Sequence, residues 1–225
     1  MLHKIYRQLV LPVAFLLISL ITVAQNTVQP KYNNSSIYTG IEVGSKGVKM
    51  SIIEIGKNAQ STGAFNIIKD TSVNTDFISF SQPTFNATLD GLCGLYTKAT
   101  KDLKIPSKRV FTVISSGIKM QAEKDQKTSM VRQLIDSFRS RINEPERIVE
   151  IVDVMQEARL SHLGIVPDKR RFTTFLIDIG SGNTKGGFFP DGMNTSNFKL
   201  FQLNWGTKST FNDAEKRCDG DMSMY

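Results

Sequence analysis

Side chains that bind soft metals are scarce in this 225-residue sequence, which has two cysteines, two histidines and no cluster of either. A structural zinc site needs four such ligands at short spacings, so no zinc-type module can be built here. His3 lies in an apolar leader, which leaves His162 alone; on a helix it reads as a surface or packing residue rather than a ligand. Cys93 and Cys218 leave two readings open. They could form a disulfide, which an exported chain would permit, or Cys93 could pack beside Leu92 and Leu95 while Cys218 is a loose thiol before an unpatterned tail, 219–225. Charge of one sign is also modest: the formal +7 falls to +5 without Lys4 and Arg7. That excess suits anionic ligands, but no basic stripe interleaved with aromatics is present, so nucleic acid is not an expected partner. Long apolar runs are missing as well. Residues 9–23 fall short of the roughly 20 residues a spanning helix needs, and Pro12 interrupts them.

That short run sits in an export-type leader. Lys4 and Arg7 precede it, and Thr22-Val23-Ala24 offers small residues for cleavage before Gln25. Residues 1–24 are therefore expected to be a signal peptide and the protein periplasmic or secreted. The alternative is a retained anchor, so membrane contact is expected only if the signal stays uncleaved. No cysteine stands at the cleavage point, which argues against a lipoprotein. Residues 25–36 read as a flexible polar linker. About 200 residues remain, enough for one good-sized domain or for one large and one fragmentary domain.

Two acidic, glycine-rich turns dominate the remainder. Glu42-Val43-Gly44-Ser45-Lys46-Gly47 and Asp178-Ile179-Gly180-Ser181-Gly182-Asn183-Thr184 stand 136 residues apart, and each follows a strand-like run. Glycines there are expected to allow positive φ and to let backbone N–H groups approach an anion. An acid at the strand end can hold a hydrated cation or a water beside a phosphate. Lys49 and Lys185 follow their acids at the same offset of seven residues.

Alternation of apolar and polar residues over 48–55, then turn residues and a run at 65–68, predict a three-stranded antiparallel meander. A loop is expected over 71–83. A helix is expected on Leu89, Leu92, Leu95, Tyr96 and Ala99, then a strand at 109–115, a helix at 128–142, a strand at 147–154 and a helix at 156–163. Strands at 172–179, 184–189 and 198–203 complete the pattern. The order β-β-β-α-β-α-β-α, followed by a new β-turn-β, implies an α/β fold with a mixed sheet and helices on its faces. Ligands in such sheets gather at strand carboxyl ends, where both turns begin.

Four segments carry a resemblance: Ile41–Ser45, Val113–Lys119, Gln156–Leu160 and Leu176–Thr184, with a weaker fifth at Gln202–Gly206. Together they resemble the exopolyphosphatase and guanosine pentaphosphate phosphohydrolase (Ppx/GppA) family of the actin–sugar kinase–Hsp70 superfamily. The resemblance covers about residues 37–210 and implies a ribonuclease H-like, actin-like ATPase lobe over 37–189, with 190–225 the start of a second lobe or a truncated tail. It implies Glu157 as general base, and Glu42 and Asp178 as holders of Mg²⁺ through water. It further implies phosphate binding by Gly44, Ser45, Lys46, Gly47, Lys119, Gly180, Ser181, Gly182, Asn183 and Thr184. Phosphoryl transfer needs mainly positioning and electrostatic stabilisation, which such a set supplies.

Departures from the family pattern stand beside this. Glu42 replaces aspartate, Lys46-Gly47 replaces a polar pair, and Lys119 replaces an arginine and loses bidentate recognition. The second lobe of a two-lobed cleft is mostly missing from this sequence. The resemblance thus implies an exported, Mg²⁺-assisted phosphohydrolase acting on polyphosphate or a related phosphate ester. A non-catalytic phosphate- or polyanion-binding module, or an envelope scaffold, is the alternative. Oligomeric state, a homodimer included, is left open.

Overall fold

The computed structural model describes residues 28–180 and 183–218. The expected signal peptide, Ser181, Gly182 and the tail from Asp219 lie outside the described residues.

Three strands open the fold: β1 (Ser36–Gly44), β2 (Gly47–Ile55) and β3 (Phe65–Asn74). They pair antiparallel in sequence order, as the meander predicts. Period-2 alternation sets the buried face: Thr39, Ile41 and Val43 of β1 and Val48, Met50, Ile52 and Glu54 of β2 are all essentially inaccessible. β3 runs six residues further than expected, because Lys69 to Asn74 pair along β2 into the segment read as a loop.

Helix α1 (Gln82–Thr97) starts at a capping box between Ser81 and Thr84 and has Pro83 in its first turn, where a missing N–H does no harm. Its Leu89, Leu92, Leu95 and Tyr96 cover the buried face of β1 and β2. Strand β4 (Val110–Ile114) then pairs parallel with β1, and helix α2 (Ser116–Lys124) follows at once. The sequence reading has no helix here: Ser115-Ser116-Gly117 looks like a turn, yet Ile118 and Ala122, four residues apart, are both buried. Helix α3 (Thr128–Arg141) buries Val131, Leu134, Ile135 and Phe138 in the same core. The strand expected at 147–154 shrinks to β5 (Glu150–Ile151), which pairs with β4 at only two positions. The five strands form a mixed sheet in the order β3-β2-β1-β4-β5.

Helix α4 (Val154–Ile165) leads to a second, antiparallel sheet made of β6 (Leu176–Ile179), β7 (Thr184–Phe188) and β8 (Lys199–Leu203). The change of sheet therefore falls before the second turn. Ala158, Phe189 and Phe198 form a small core between α4 and this sheet, and His162 packs edge-on against both phenylalanines. His162 is thus a packing residue, its Nε2 bonded to the Thr174 carbonyl at 3.0 Å. A last helix, α5 (Thr207–Cys218), buries Cys218, so that thiol is not loose; both cysteines are free.

The first turn also departs from expectation. Gly44 has no positive φ, whereas Gly47 has one, at 158°, which a residue with a side chain rarely adopts. Gly47 also requires room: a Cβ there would lie 2.0 Å from the Val73 carbonyl oxygen of β3. Its glycine serves both the backbone conformation at the end of the turn and close strand packing.

Candidate functional site

The two hairpins place their acids identically. Glu42 stands directly across from Lys49, and Asp178 directly across from Lys185. Both acids reach one cleft of about 1000 Å³, together with Glu157, the Gly44–Gly47 turn, Ser115 to Gly117, Gly180 and Asn183. Four lysines (46, 49, 124 and 185) and three carboxylates (42, 157 and 178) line it, so the lining carries a small positive excess.

Glu157 is fixed from three directions. Asp153 caps its helix by accepting from the Gln156 N–H at 2.7 Å, which sets the first turn of α4. The Ser116 N–H, at the start of α2, donates to Glu157 Oε2 at 2.9 Å. Lys185 Nζ sits 3.0 Å from Glu157 Oε1 and 3.2 Å from Asp178 Oδ2. The lysine side chain is only 7 % exposed, against 41 % for Asp178.

These contacts separate the acids electrostatically. Burial alone would raise the Glu157 pKa, but hydrogen bonding from Ser116 and the Lys185 ammonium outweigh it and hold the carboxyl below its ordinary value. Burial likewise disfavours the Lys185 ammonium, yet Glu157 and then Asp178 hold its pKa above the ordinary lysine value. Glu42 goes the other way: burial, then the Glu157 charge, push it up, and Lys49 and Lys185 offset this only in part. Of the two glutamates, Glu42 is thus the one poised to take a proton.

The expected phosphate-binding residues divide. Gly44, Ser45, Lys46, Gly47, Gly180 and Asn183 line the cleft. Lys119 is not among the lining residues; it pairs with Glu123 on α2 at 3.7 Å. Thr184 is buried and structural, donating through Oγ1 to the Trp205 carbonyl at 2.8 Å. The second turn is closed by the Gly180 N–H on the Asn183 carbonyl and held by the Thr207 N–H on Gly180 O.

Sequence reasoning passed over Lys185 and Lys124 as site residues. The signal for Lys185 was available, since its seven-residue offset from Asp178 is the offset that puts it opposite that acid. Lys124 becomes a cleft residue only through helix α2.

A Mg²⁺ ion on Glu42 and Asp178, as the resemblance implies, would share Asp178 with the Lys185 ammonium. The Lys185 ammonium takes the space between Glu157 and Asp178, and the described residues present no group of three or more His, Cys, Asp or Glu arranged to hold a metal.

No family model and no curated protein matches the sequence. Solved structures do. A Ppx/GppA family member from Aquifex aeolicus is 18 % identical with a TM-score of 0.55, over 81 % of this chain and 61 % of that one. A second structure of an Aquifex aeolicus PPX-GPPA enzyme gives 17 % identity and a TM-score of 0.51, over 82 % and 64 %. An exopolyphosphatase-like protein gives 13 % identity and 0.51, over 80 % and 54 %. The chain therefore spans between about half and two thirds of the length of these relatives. At such identity the likeness is one of architecture: the chain has the α/β, actin-like fold of Ppx/GppA structures.

Proposed function

We propose that the cleft binds the phosphate groups of a polyanion, such as the end of a polyphosphate chain or a phosphate ester, and that this chain acts as a binding module. The observation that carries this reading is the ion-paired state of Glu157. A general base works best with a pKa near the working pH. Glu157 instead has one oxygen on the Ser116 N–H and the other on the Lys185 ammonium, with its pKa lowered. The rest of the lining suits anion binding: Lys46, Lys49 and Lys124, together with the Gly44–Gly47 turn and the start of helix α2. Likeness in fold to an exopolyphosphatase-like protein makes polyphosphate the first ligand to try. Calorimetric titration with tripolyphosphate tests it. Saturable binding that weakens in Lys46→Ala supports the reading, and absence of binding refutes it.

Hydrolysis is the second reading, and Glu42 favours it. Its raised pKa and its place in the cleft suit it, rather than Glu157, to accept a proton from an attacking water. Phosphate release from tripolyphosphate, abolished in Glu42→Gln, would establish this; no release by the wild-type chain would leave binding alone. Export of the chain to the periplasm or beyond is part of the same proposal and rests on residues 1–24.

A further inference from the structure

Lys185 is an unusual lysine for a ligand cleft. It is nearly buried, on the central strand of a three-stranded sheet, and its ammonium lies within 3.2 Å of two carboxylates that come from different elements. An ammonium has three N–H donors. Two are directed to Glu157 and Asp178, its only partners among the described residues, which leaves one for a ligand in the cleft that Lys185 lines.

Its counterpart in the first hairpin behaves differently. Lys49 faces Glu42 in the same register but is exposed and forms no close ion pair among the described residues. The cross-strand position alone therefore does not produce the contact. Glu157, held in place by Ser116, is what draws the lysine inward on the second hairpin.

We propose that Lys185 is the resident cation of the cleft: its ammonium fills the place between Glu157 and Asp178 that a divalent ion would take, so phosphate is bound without a metal. This deepens the binding reading and rests on it for the identity of the ligand. The physical basis is charge compensation. Two carboxylates facing an incoming phosphate would repel it, and some cation must neutralise them. A tethered ammonium offsets one of the two charges, and the other lysines of the lining (46, 49 and 124) offset the rest, with no dependence on ion concentration. It also blocks metal binding, because a divalent ion would have to displace a buried, doubly paired charge and leave it uncompensated.

Two measurements test the proposal, and they fail separately. The first needs no phosphate: Mn²⁺ is titrated into the chain and the free-ion spin-resonance signal is followed. The wild-type chain should leave the signal undiminished, whereas Lys185→Gln, with both carboxylates released, should take up Mn²⁺. Uptake by the wild type as tight as by the variant, or no uptake by a folded Lys185→Gln, overturns the proposal. The second measures tripolyphosphate binding in EDTA and again in Mg²⁺. Wild-type affinity should change by less than about twofold. Lys185→Gln should lose about tenfold or more in EDTA and regain much of it in Mg²⁺, while Lys185→Arg should stay insensitive to EDTA. Wild-type binding that disappears in EDTA and returns with Mg²⁺ refutes the metal-free cleft. Should the wild type bind no tripolyphosphate in either buffer, the binding reading falls and the Mn²⁺ titration still decides the role of Lys185. If Lys185→Gln does not fold, the two wild-type arms are sufficient.

Discussion

The hairpins β1–β2 and β6–β7 carry the same acid–lysine register but are held by opposite means. Every position in the first has a counterpart 136 residues on. Ile41, Val43, Met50 and Ile52 lie under α1 and are at most 1 % exposed. Their counterparts are Ile177 at 56 %, Ile179 at 63 % and Phe188 at 39 %, with a buried glycine, Gly186, in place of Met50. On that open face Phe175 touches Phe188 and Phe201, with ring centroids 5.8 Å apart in each case. The polar side reverses the pattern: Lys49 is exposed and makes no close ion pair among the described residues, whereas Lys185 is buried and doubly paired. One hairpin is fixed by the hydrophobic core, and the other by ion pairing and by α4 packed on its far side. A shared local motif thus does not imply a shared source of stability.

The largest test of this contrast removes a core side chain. Met50→Ala should destabilise the chain by about 2–5 kcal/mol in denaturant unfolding followed by circular dichroism, because a fully buried side chain leaves a cavity. A loss below about 1 kcal/mol would mean that the first hairpin is not core-anchored. Next in size is Lys185→Met, expected to cost about 2 kcal/mol, less than for a fully buried pair because Asp178 is partly exposed and solvent screens it. The double variant Glu157→Gln/Lys185→Met should recover part of that loss, since no uncompensated buried charge then remains on Glu157. If the double variant is less stable than the single one, ion pairing is not what holds the second hairpin.

Much of this was legible in the sequence, for identifiable reasons. The meander, the helix on Leu89, Leu92 and Leu95, and both acid turns follow from period-2 and period-3.6 patterns that match the burial. The acids at 42, 157 and 178 do meet in one cleft. Helix α2 was not legible, because nine residues give only about two and a half turns of periodicity and begin with Ser-Gly. Nor was the role of Lys185. Sequence offset put it opposite Asp178, but only the tertiary placement of α4 brings Glu157 within 3.0 Å and turns an outward lysine into a buried one. Lys119 stands outside the lining for the converse reason: its place in a motif said nothing about which side of α2 faces the cleft.

A pH titration separates the hairpins by a subtler effect. Glu54 of β2 is buried and accepts from the Lys31 and Tyr32 N–H groups at 2.8 and 2.7 Å, from the Ser35 hydroxyl at 2.6 Å and from Asn66 at 3.2 Å. Burial opposes its charge, but these bonds, that of Ser35 foremost, pull its pKa from 4.5 down to about 2. A depressed carboxylate stabilises the fold above its unfolded pKa, and that contribution fades as pH falls from about 4.5 towards 2. Glu42 has the opposite sign. Its raised pKa means that the folded state takes the proton first, so a penalty present at higher pH is relieved as pH falls through the folded pKa, above 4.5, and nothing further changes below 4.5. Thermal unfolding between pH 6 and 2 should therefore show a loss that is flattened in Glu54→Gln and deepened in Glu42→Gln. The second hairpin has Pro190 at the position matching Glu54 and lacks this clasp. Equal acid sensitivity of the wild type and Glu54→Gln would remove the clasp from the account.

The smallest expected effect is the most discriminating. Ile179→Ser, at the position matching Val43, exchanges a 63 % exposed side chain for a polar one. Exposed sites away from caps and ion pairs change stability by no more than about 0.5 kcal/mol, so the midpoint of unfolding should scarcely move. Val43→Ser, which places a hydroxyl in a site with no exposure at all, should cost several times more. Comparing the two variants cancels everything the hairpins share: the strand type, the adjacent acid and the following glycine. If Ile179→Ser destabilises as much as Val43→Ser, the apolar face of β6 is covered in solution, and the asymmetry between the hairpins lies in their ion pairs alone.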